Sequence, residues 1–384
     1  MRASPSPNIL LVFTVTAIAL GMFIVEGRPV EAGEVTPASN YKVLEPIRHG
    51  NLTVFPVVAA KSYSTGEFLT LDEGLRSGDV VVTEAGNLQG LIRRHTMPAI
   101  RHDGAEVNRL VLVNNSKRPL LLLAGEIVTG GKQDRVIAKD RIVPPESDPV
   151  DLSVFCVEPG RWVATSAHFG ASEAMYGKAT GGTPIPPMAM MAQPSVRAKA
   201  MGDKDQGEVW DEVRKQKDAV TAEMVSAAPS AASEVGGTSS YARVMENEKV
   251  KEQVDAVAEP IEQNYQSLIR QLRDRNAVGV VVAVNGRIIW ADVFASTDLL
   301  EKYWPKLVRS YASEAVVTRA KQLEVTVSQA QAFLGDLQGR REMIETEPGI
   351  YRHTEVTGDG FKAFSLTSLL PKTGFEVHIA KMAE

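Results

Sequence analysis

The sequence has few of the features that most often identify a protein's function. It contains one cysteine, Cys156, which excludes an intramolecular disulfide. Its net charge is −5, so it has no excess of positive charge with which to hold nucleic acid. The motifs GxSxG, HExxH, CxxC, GxxxxGK[ST] and a GxGxxG followed by a distant acid are absent. The fold and the candidate site must therefore be predicted from the pattern of apolar and polar residues.

Long apolar runs are also scarce, and the one present lies near the N-terminus at residues 9–25. Arg2 precedes it, and Val30-Glu31-Ala32 follows with residues of the kind that a signal peptidase reads. We expect residues 1–32 to be a signal peptide that is cleaved after Ala32, giving an exported (periplasmic or extracellular) protein. The alternative is an uncleaved membrane anchor formed by residues 9–25, because such a run is close to the roughly 18 residues that span a bilayer.

The chain from Tyr41 to Trp162 has mainly β signals, since short apolar runs alternate with turn residues. Residues 108–128 read as two strands joined at residues 114–117, which predicts a hairpin. Residues 150–157 predict a strand that is apolar on both faces, and Cys156 is interpreted as a small core residue of that strand. This half of the chain is therefore predicted to be an antiparallel sheet or sandwich.

The C-terminal half combines helical patterns with strands. Residues 208–222 are predicted to form a helix with Asp205 as its N-cap, and residues 241–275 a helix that Pro260 ends or kinks. Residues 296–323 also have helical spacing, and Pro305 is expected to break the first turns of this helix from the rest. Asn285-Gly286, between two apolar runs, is the strongest hairpin signal in the chain.

Two further segments show no sustained period: residues 170–206 predict a long mobile loop, and residues 226–240 a flexible linker. Because the β-rich and helical blocks are segregated, residues 41–384 are predicted to form a single α+β domain. Its N-terminal half is mainly antiparallel β, and its C-terminal half is helical and mixed α/β.

The densest polar chemistry lies in Leu120–Arg135, with the sequence LLLLAGEIVTGGKQDR. A leucine-rich strand leads to Glu126, whose carboxylate is costly to bury unless it is paired. The two glycines that follow allow backbone N–H groups to approach an anion, and Lys132, Gln133 and Arg135 add charged and polar donors. The alternative is a structural ion pair of Glu126 with Lys132 or Arg135 across the glycine turn.

A second polar cluster, Glu158-Pro159-Gly160-Arg161-Trp162, follows the next strand. Arg161 suits a carboxylate or phosphate, and Trp162 can stack on a planar or sugar ring. The alternative is a turn with a core tryptophan and a surface arginine. Two clusters at the ends of neighbouring strands predict one shared cleft, in which Glu126 and Glu158 are the candidates for paired acid and base catalysis.

Neither a metal site nor a cofactor is expected from the sequence. His95 and His102 lack a tight ligand spacing and have no cysteine nearby, so a solvated basic loop is the better interpretation. The remaining histidines are not spaced as metal ligands either.

Several blocks of the sequence together resemble a known family. From about Leu52 onward the chain contains, in order, FPV, AGE…GGKQDR, VEPGRW, QGEVW and VGVVVAVNGRIIWADVF followed by KYWPKL. In this it resembles the ADP-ribosylglycohydrolase (ARG) and rhodanese-phosphatase-superfamily-associated protein domain. The family name implies an association with ADP-ribose and phosphate-ester chemistry, and the resemblance supplies no catalytic residues for these positions.

Three functional hypotheses follow from these patterns. The first is an exported domain that binds a small anionic or polar ligand, nucleotide- or sugar-derived, through Lys132, Gln133, Arg135, Arg161 and Trp162. The second is a hydrolase that uses Glu126 and Glu158, and whether the protein is an enzyme is left open. The third is a cell-envelope scaffold for a protein partner. Nucleic acid is not expected as a partner, and contact with a membrane is expected only through an uncleaved N-terminal segment.

Overall fold

The computed structural model describes residues 40–84, 109–160, 165–166, 168–170, 189–271, 275–318, 324–335 and 341–384. The strands are, in chain order, β1 (Tyr41–Val43), β2 (Ile47–His49), β3 (Leu52–Ala59), β4 (Leu69–Thr70), β5 (Val80–Glu84), β6 (Arg109–Asn114), β7 (Leu120–Leu122), β8 (Glu126–Gly130), β9 (Arg135–Ile137), β10 (Arg141–Val143), β11 (Val150–Cys156), β12 (His168–Gly170), β13 (Met190–Met191), β14 (Ala277–Val284), β15 (Arg287–Phe294), β16 (Arg341–Glu347), β17 (Tyr351–Gly358), β18 (Phe361–Ser368) and β19 (Glu376–Ala383). The helices are α1 (Leu71–Ser77), α2 (Pro194–Ala198), α3 (Gln206–Ala227), α4 (Pro229–Gly237), α5 (Tyr241–Glu246), α6 (Glu248–Gln271), α7 (Thr297–Val316) and α8 (Val327–Gly335), and a π-helical turn, Lys199–Asp203, follows α2. Within these ranges, none of the helices combines the length and apolarity needed to cross a membrane.

A large antiparallel sheet joins the two ends of the described chain. Its strand order is β1-β3-β14-β15-β19-β18-β17-β16, and β2 pairs with β3 beside this path. Strand β14 (AVGVVVAV) lies in its interior, and its continuous apolar sequence is explained by burial at every position. Asn285 and Gly286 both have positive φ values, 51° and 71°, in the tight turn between β14 and β15. The hairpin predicted at these residues is therefore confirmed.

A second group of strands closes into a ring. The pairings run β12-β5-β6-β11-β9-β8 and return to β12, and β13 pairs with β8 alongside β12. Buried aliphatic side chains pack together within this group, among them Val82, Leu112, Val128, Ile137 and Val154. On the neighbouring strand β11, Cys156 is buried, as predicted, and the Gln206 amide holds its backbone N–H and C=O with two hydrogen bonds of 2.9 Å.

The hairpin predicted for residues 108–128 is wrong. Strand β6 belongs to the ring, whereas β7 pairs with β4 and β10 in a separate three-stranded sheet. The buried side chain of Asn114 fixes the turn between β6 and β7, since its Nδ2 donates to the carbonyl oxygens of Arg118 at 2.8 Å and Pro144 at 3.0 Å. The chain leaves the ring at this turn, and the apolar strand β7 finds its partners in β4 and β10.

Two prolines lie inside helices, at positions where the sequence predicts an end, a kink or a break. Pro260 lies within α6 and Pro305 within α7. An interior proline costs about 3 kcal/mol, whereas each large apolar side chain that is buried contributes about 1.5–3 kcal/mol. Helix α6 buries a full stripe of such residues: Val250, Val254, Ala258, Ile261, Tyr265 and Ile269. The predicted N-cap of α3 is confirmed, since the Asp205 side chain accepts a hydrogen bond from the backbone N–H of Glu208 at 3.0 Å.

Both segments predicted to be flexible contain regular structure. Residues 229–237 of the predicted linker form α4, which starts with a proline and buries Ala231, Ala232 and Val235. Of the predicted mobile loop, residues 171–188 lie outside the described ranges, and residues 189–206 form β13, α2 and the π-helical turn. The small and apolar residues that gave this segment its loop-like composition fill the core instead, as Val196, Ala200 and Met201 are buried. The overall α+β class is confirmed.

Candidate functional site

The turn between β8 and β9 has the backbone shape expected of an anion site. Gly130 and Gly131 have positive φ values of 122° and 51°, which glycine adopts without strain. The N–H of Gly130 donates to Asp134 Oδ1 at 3.1 Å, and the N–H of Lys132 donates to Glu84 Oε1 at 2.9 Å. The amide groups predicted to meet an external anion are thus bound to two carboxylates of the chain itself.

The same turn brings three of the predicted site residues together. Gln133 Nε2 donates to the backbone oxygen of Glu158 at 2.9 Å, and the Asp134 N–H donates to Glu158 Oε2 at 3.2 Å. Arg135 Nη1 donates to the backbone oxygen of Gln133 at 2.6 Å. The side chains of Gln133, Arg135 and Glu158 are all buried, so this cluster fastens the turn to the end of β11. Arg161 and Trp162, predicted for the same cluster, lie outside the described residues.

Glu126 belongs to a different network. Its Oε1 accepts a hydrogen bond from Lys306 Nζ at 2.5 Å, and its Oε2 accepts one from the Leu123 N–H at 2.8 Å. Lys306, on α7, also donates to Asp72 Oδ2 at 2.6 Å, and all three charged groups are buried. Burial raises the pKa of Glu126, Lys306 opposes that rise, and the nearby charge of Asp72 adds to it. Glu126 thus forms an ion pair with Lys306, whereas the sequence suggests Lys132 or Arg135 as its partner.

The two candidate catalytic carboxylates therefore occupy separate surroundings. Glu126 is held at the start of β8 by Lys306 and Leu123, whereas Glu158 is held beyond β11 by the backbone of the β8–β9 turn. Paired catalysis by Glu126 and Glu158 stays a prediction.

A second buried charge network connects the β9–β10 turn to β19. Asp140 Oδ2 lies 2.5 Å from His378 Nδ1, and His378 Nε2 lies 3.2 Å from Asp292 Oδ1. Burial alone would lower the pKa of His378, but the two carboxylates, Asp140 above all, raise it to about 9. His378 is therefore charged at neutral pH and links the β9–β10 turn to β15.

Arg197 completes this second network. Its guanidinium binds Asp292 through two hydrogen bonds of 2.9 and 3.0 Å, and it lies 4.3 Å above the ring of Trp290. The Arg197 and His378 charges hold the pKa of the Asp292 carboxyl well below its usual range, despite burial. Gly125 makes room for the arginine, because a Cβ at residue 125 would lie 2.8 Å from Arg197 Cδ. The balance of opposite charges identifies this network as structural.

A cavity of about 510 Å³ lies between the ring and the C-terminal strands of the large sheet. Its walls are mainly apolar and come from β11, the π-helical turn and strands β16 to β18. The lining residues are Ala138, Lys139, Ser153, Phe155, Met201, Lys204, Met343, Ile344, Glu345, His353, Glu355 and Phe364. A space of this size and character is typical of a small-molecule site.

The polar groups of the cavity include two ion pairs and a buried histidine. Lys139 and Glu345 form an ion pair at 2.5 Å, and so do Lys204 and Glu355. His353 is buried, and burial lowers its pKa, so its imidazole is neutral at neutral pH. Within the described part of the chain, Nε2 of His353 has no hydrogen-bond partner. A buried polar group without a partner calls for an explanation, and an ordered water or a ligand group would supply one.

The backbone beside the cavity is also unusual. The π-helical turn Lys199–Asp203 ends at Lys204, which has a left-handed conformation with φ 55° and ψ 32°. π-Helical turns and non-glycine residues with positive φ are both uncommon, and both concentrate at functional positions. Here they place Met201 and Lys204 in the cavity wall.

A family model describes most of the chain that forms these networks and the cavity. The ARG and Rhodanese-Phosphatase-superfamily-associated Protein domain, ARPP-1, matches residues 40–380. The chain belongs to this family. The ARPP-1 match includes every residue of the cavity wall and both buried charge networks. Comparisons with curated proteins and with solved structures find no match.

Sequence reasoning missed the cavity of this ARPP-1 member. His353 reads as an isolated histidine, although strand alternation places it on the same face as Glu355. That shared face is the signal that the sequence offered. Lys139 and Lys204 gave no comparable signal, because their acidic partners are 206 and 151 residues away.

Proposed function

We propose that this ARPP-1 member is a small-ligand-binding domain whose ligand occupies the cavity between the ring and β16–β18. The observation that carries the proposal is the cavity itself, about 510 Å³ in volume. Drug-sized ligands occupy sites of about 300–1,000 Å³ whose walls are mainly apolar and hold a few polar groups. The rings of Phe155 and Phe364 and the side chain of Met201 supply such walls.

The polar groups support a ligand that combines an apolar or planar body with a polar or charged group. The neutral imidazole of His353 offers a hydrogen bond, and Lys139 and Lys204 offer charge. This composition is consistent with a nucleotide-derived ligand more than with a bare sugar, because the apolar walls leave most sugar hydroxyls without partners. The expected class of a small anionic or polar ligand is thus kept and is assigned to a different place in the fold.

Binding is favoured over hydrolysis by paired carboxylates. Glu126 is completely buried and both of its oxygens accept hydrogen bonds, so a substrate would have to break the ion pair with Lys306 to reach it. The turn predicted to bind an anion holds Glu84 in that position. Binding in the cavity breaks no fully buried ion pair, because the pairs in its wall are partly exposed.

A protein-binding role is the second candidate, and strand β16 favours it. This strand lies at one end of the large sheet, and its Met343 and Ile344 are 48% and 44% exposed. Exposed apolar residues on an edge strand are typical of a surface that pairs with another chain. Protection of β16 amides from hydrogen exchange by a partner, without any change at Met201, would favour this role over small-ligand binding.

Thermal-shift screening of the full chain with compounds that combine a ring system and a polar group tests the first proposal. Ala138→Phe places a ring in the cavity, and Leu369→Phe places the same ring at a residue that is 37% exposed and outside the cavity wall. Compounds that stabilise the wild type should fail with Ala138→Phe and act normally on Leu369→Phe. Equal stabilisation of both variants would contradict the proposed site.

We also propose that the protein is exported after cleavage behind Ala32. The support is the apolar run at residues 9–25 followed by Val30-Glu31-Ala32. Intact-mass measurement of protein recovered from the cell envelope or medium should give a chain that starts at Gly33. A membrane-bound chain that retains residues 9–25 would favour the anchor instead.

A further inference from the structure

We infer that the ligand of the cavity carries an anionic group, and that Lys139 binds this group after Glu345 rotates into solvent. The inference rests on the proposed function and specifies the ligand class of the same site. It comes from a difference between the two ion pairs at the cavity, Lys139–Glu345 and Lys204–Glu355.

The two ion pairs are of equal length, and they are exposed in opposite ways. In the first pair the Lys139 side chain is 23% exposed and the Glu345 side chain is 61% exposed. In the second pair the Lys204 side chain is 47% exposed and the Glu355 side chain is 12% exposed. The more exposed member of a pair regains its hydration when it leaves, so it is the one that separates at low cost.

The consequence is different for the two ion pairs. When Glu345 turns outward, Lys139 remains in the wall with an ammonium group that lacks its carboxylate. When Lys204 turns outward, Glu355 remains in the wall with its negative charge. An anionic ligand is therefore attracted to Lys139 and repelled by Glu355.

Glu345 acts in this scheme as a built-in competitor for the ligand's anionic group. The hydrogen bond from Lys139 lowers the pKa of Glu345, so the Glu345 carboxylate is charged at neutral pH. In the absence of ligand this carboxylate is bound to the Lys139 ammonium group. The cross-strand neighbour of Glu345 is His353, whose neutral imidazole lies in the same wall and can share the incoming group. The apolar body of the ligand is then placed toward Phe155, Met201 and Phe364.

The competition distinguishes this inference from a merely structural ion pair. Lys139→Gln and Glu345→Gln both break the same pair, so a structural role predicts the same effect for both. If Glu345 competes with the ligand, the two substitutions must act in opposite directions on anion binding. Exposed pairs are weak, so a change of about two- to fivefold in affinity is expected in each direction.

The probes are N-phenyl-1-naphthylamine, a neutral dye that fluoresces in apolar sites, and three competitors with one chain length: decanoate, decyl phosphate and decanol. We expect both anions to displace the dye from the wild-type chain at lower concentration than decanol does. Glu345→Gln should enlarge this preference, and Lys139→Gln should remove it, with decanol unchanged in both variants. A preference for decanoate alone, or for decyl phosphate alone, would assign the anion as a carboxylate or a phosphate.

Lys204→Gln is the matched control, because it breaks the other pair and leaves Glu355 behind, so no gain in anion binding is expected. Equal displacement by decanol and the two anions, or parallel shifts in Lys139→Gln and Glu345→Gln, would overturn the inference while the cavity remained a ligand site. If the dye bound the wild type and Ala138→Phe equally, or failed to bind the wild type, both the inference and the proposed function would be overturned.

Discussion

Replacing Lys306 with methionine is expected to destabilise the protein strongly, because the Lys306 side chain is buried between two carboxylates. Its ammonium group lies between Asp72 and Glu126, at 2.6 and 2.5 Å, and all three side chains are buried. Methionine fills a similar volume and leaves two carboxylates in the core without their cation. Removal of one partner from a buried ion pair costs about 3–5 kcal/mol, a large fraction of the roughly 5–15 kcal/mol that holds a domain folded.

Urea denaturation followed by circular dichroism measures this loss as a lower midpoint at an unchanged slope. Lys302→Met is the matched control, since Lys302 lies on the same helix α7 and pairs with Glu73 at 2.8 Å on the surface. Its side chain is 30% exposed, so a loss below about 1 kcal/mol is expected. A loss for Lys306→Met as small as that of Lys302→Met would refute the account of the buried network.

The dependence on pH sharpens the same prediction. Because the pKa of Glu126 is raised in the folded state, the folded protein binds a proton at Glu126 more tightly than the unfolded chain does. The contribution of Glu126 to stability therefore falls as pH rises. Loss of the Lys306 charge raises this pKa further, so the deficit of Lys306→Met should be smaller at pH 5 than at pH 8. Adding Glu126→Gln to Lys306→Met should recover stability, with a coupling of about 0.5–3 kcal/mol.

The remaining predictions concern the second buried network. The pKa of His378, measured by NMR, should be about 9, above the usual value of about 6.5. The stabilisation that charged His378 supplies should therefore be complete below pH 6.5 and lost toward pH 9. A pKa near 6.5 would contradict the ion pair with Asp140. Gly125→Ala should lower the thermal stability more than Gly160→Ala does. Both glycines have φ 94°, but only a Cβ at residue 125 would contact Arg197. Equal losses in thermal denaturation would count against this close approach. Asp140→Asn should lower stability at pH 7 and have little effect in acid, because the lowered pKa of Asp140 makes its contribution present at neutral pH and lost in acid. A uniform loss at every pH would oppose this.

Features that depend on neighbouring residues could be predicted from the sequence. The Asn285-Gly286 hairpin, the Asp205 N-cap and the burial of Cys156 each follow from a few adjacent positions, and the structure confirms them. The α+β class follows from the separation of β-rich and helical blocks. Interactions between neighbouring residues are sufficient for these features, because the turn, the helix cap and the strand alternation are set by residues close in the chain.

Features that depend on distant partners could not be predicted in the same way. Glu126 was paired in the sequence with its neighbours Lys132 and Arg135, whereas the structure pairs it with Lys306, 180 residues away. The sequence predicts that Pro260 ends or kinks its helix and that Pro305 breaks the first turns of α7 from the rest. Both prolines lie inside continuous helices, since tertiary burial of the helix faces outweighs their local cost.

The cavity illustrates the same limit at the level of function. Its wall combines residues from Ala138 to Phe364, so no single stretch of sequence contains it. The Leu120–Arg135 stretch, which carries the densest polar chemistry in the sequence, mainly supplies internal hydrogen bonds in the structure. A ligand site at this stretch stays a prediction, and the ligand site that we propose lies at the cavity.

The measurement that tests the central claim most directly is the binding of N-phenyl-1-naphthylamine to the wild type, Ala138→Phe and Leu369→Phe, followed by fluorescence. If the cavity is the ligand site, the dye should bind the wild type and Leu369→Phe with the same affinity, and Ala138→Phe should lose binding while it remains folded by circular dichroism. Unchanged binding to a folded Ala138→Phe chain would contradict the account.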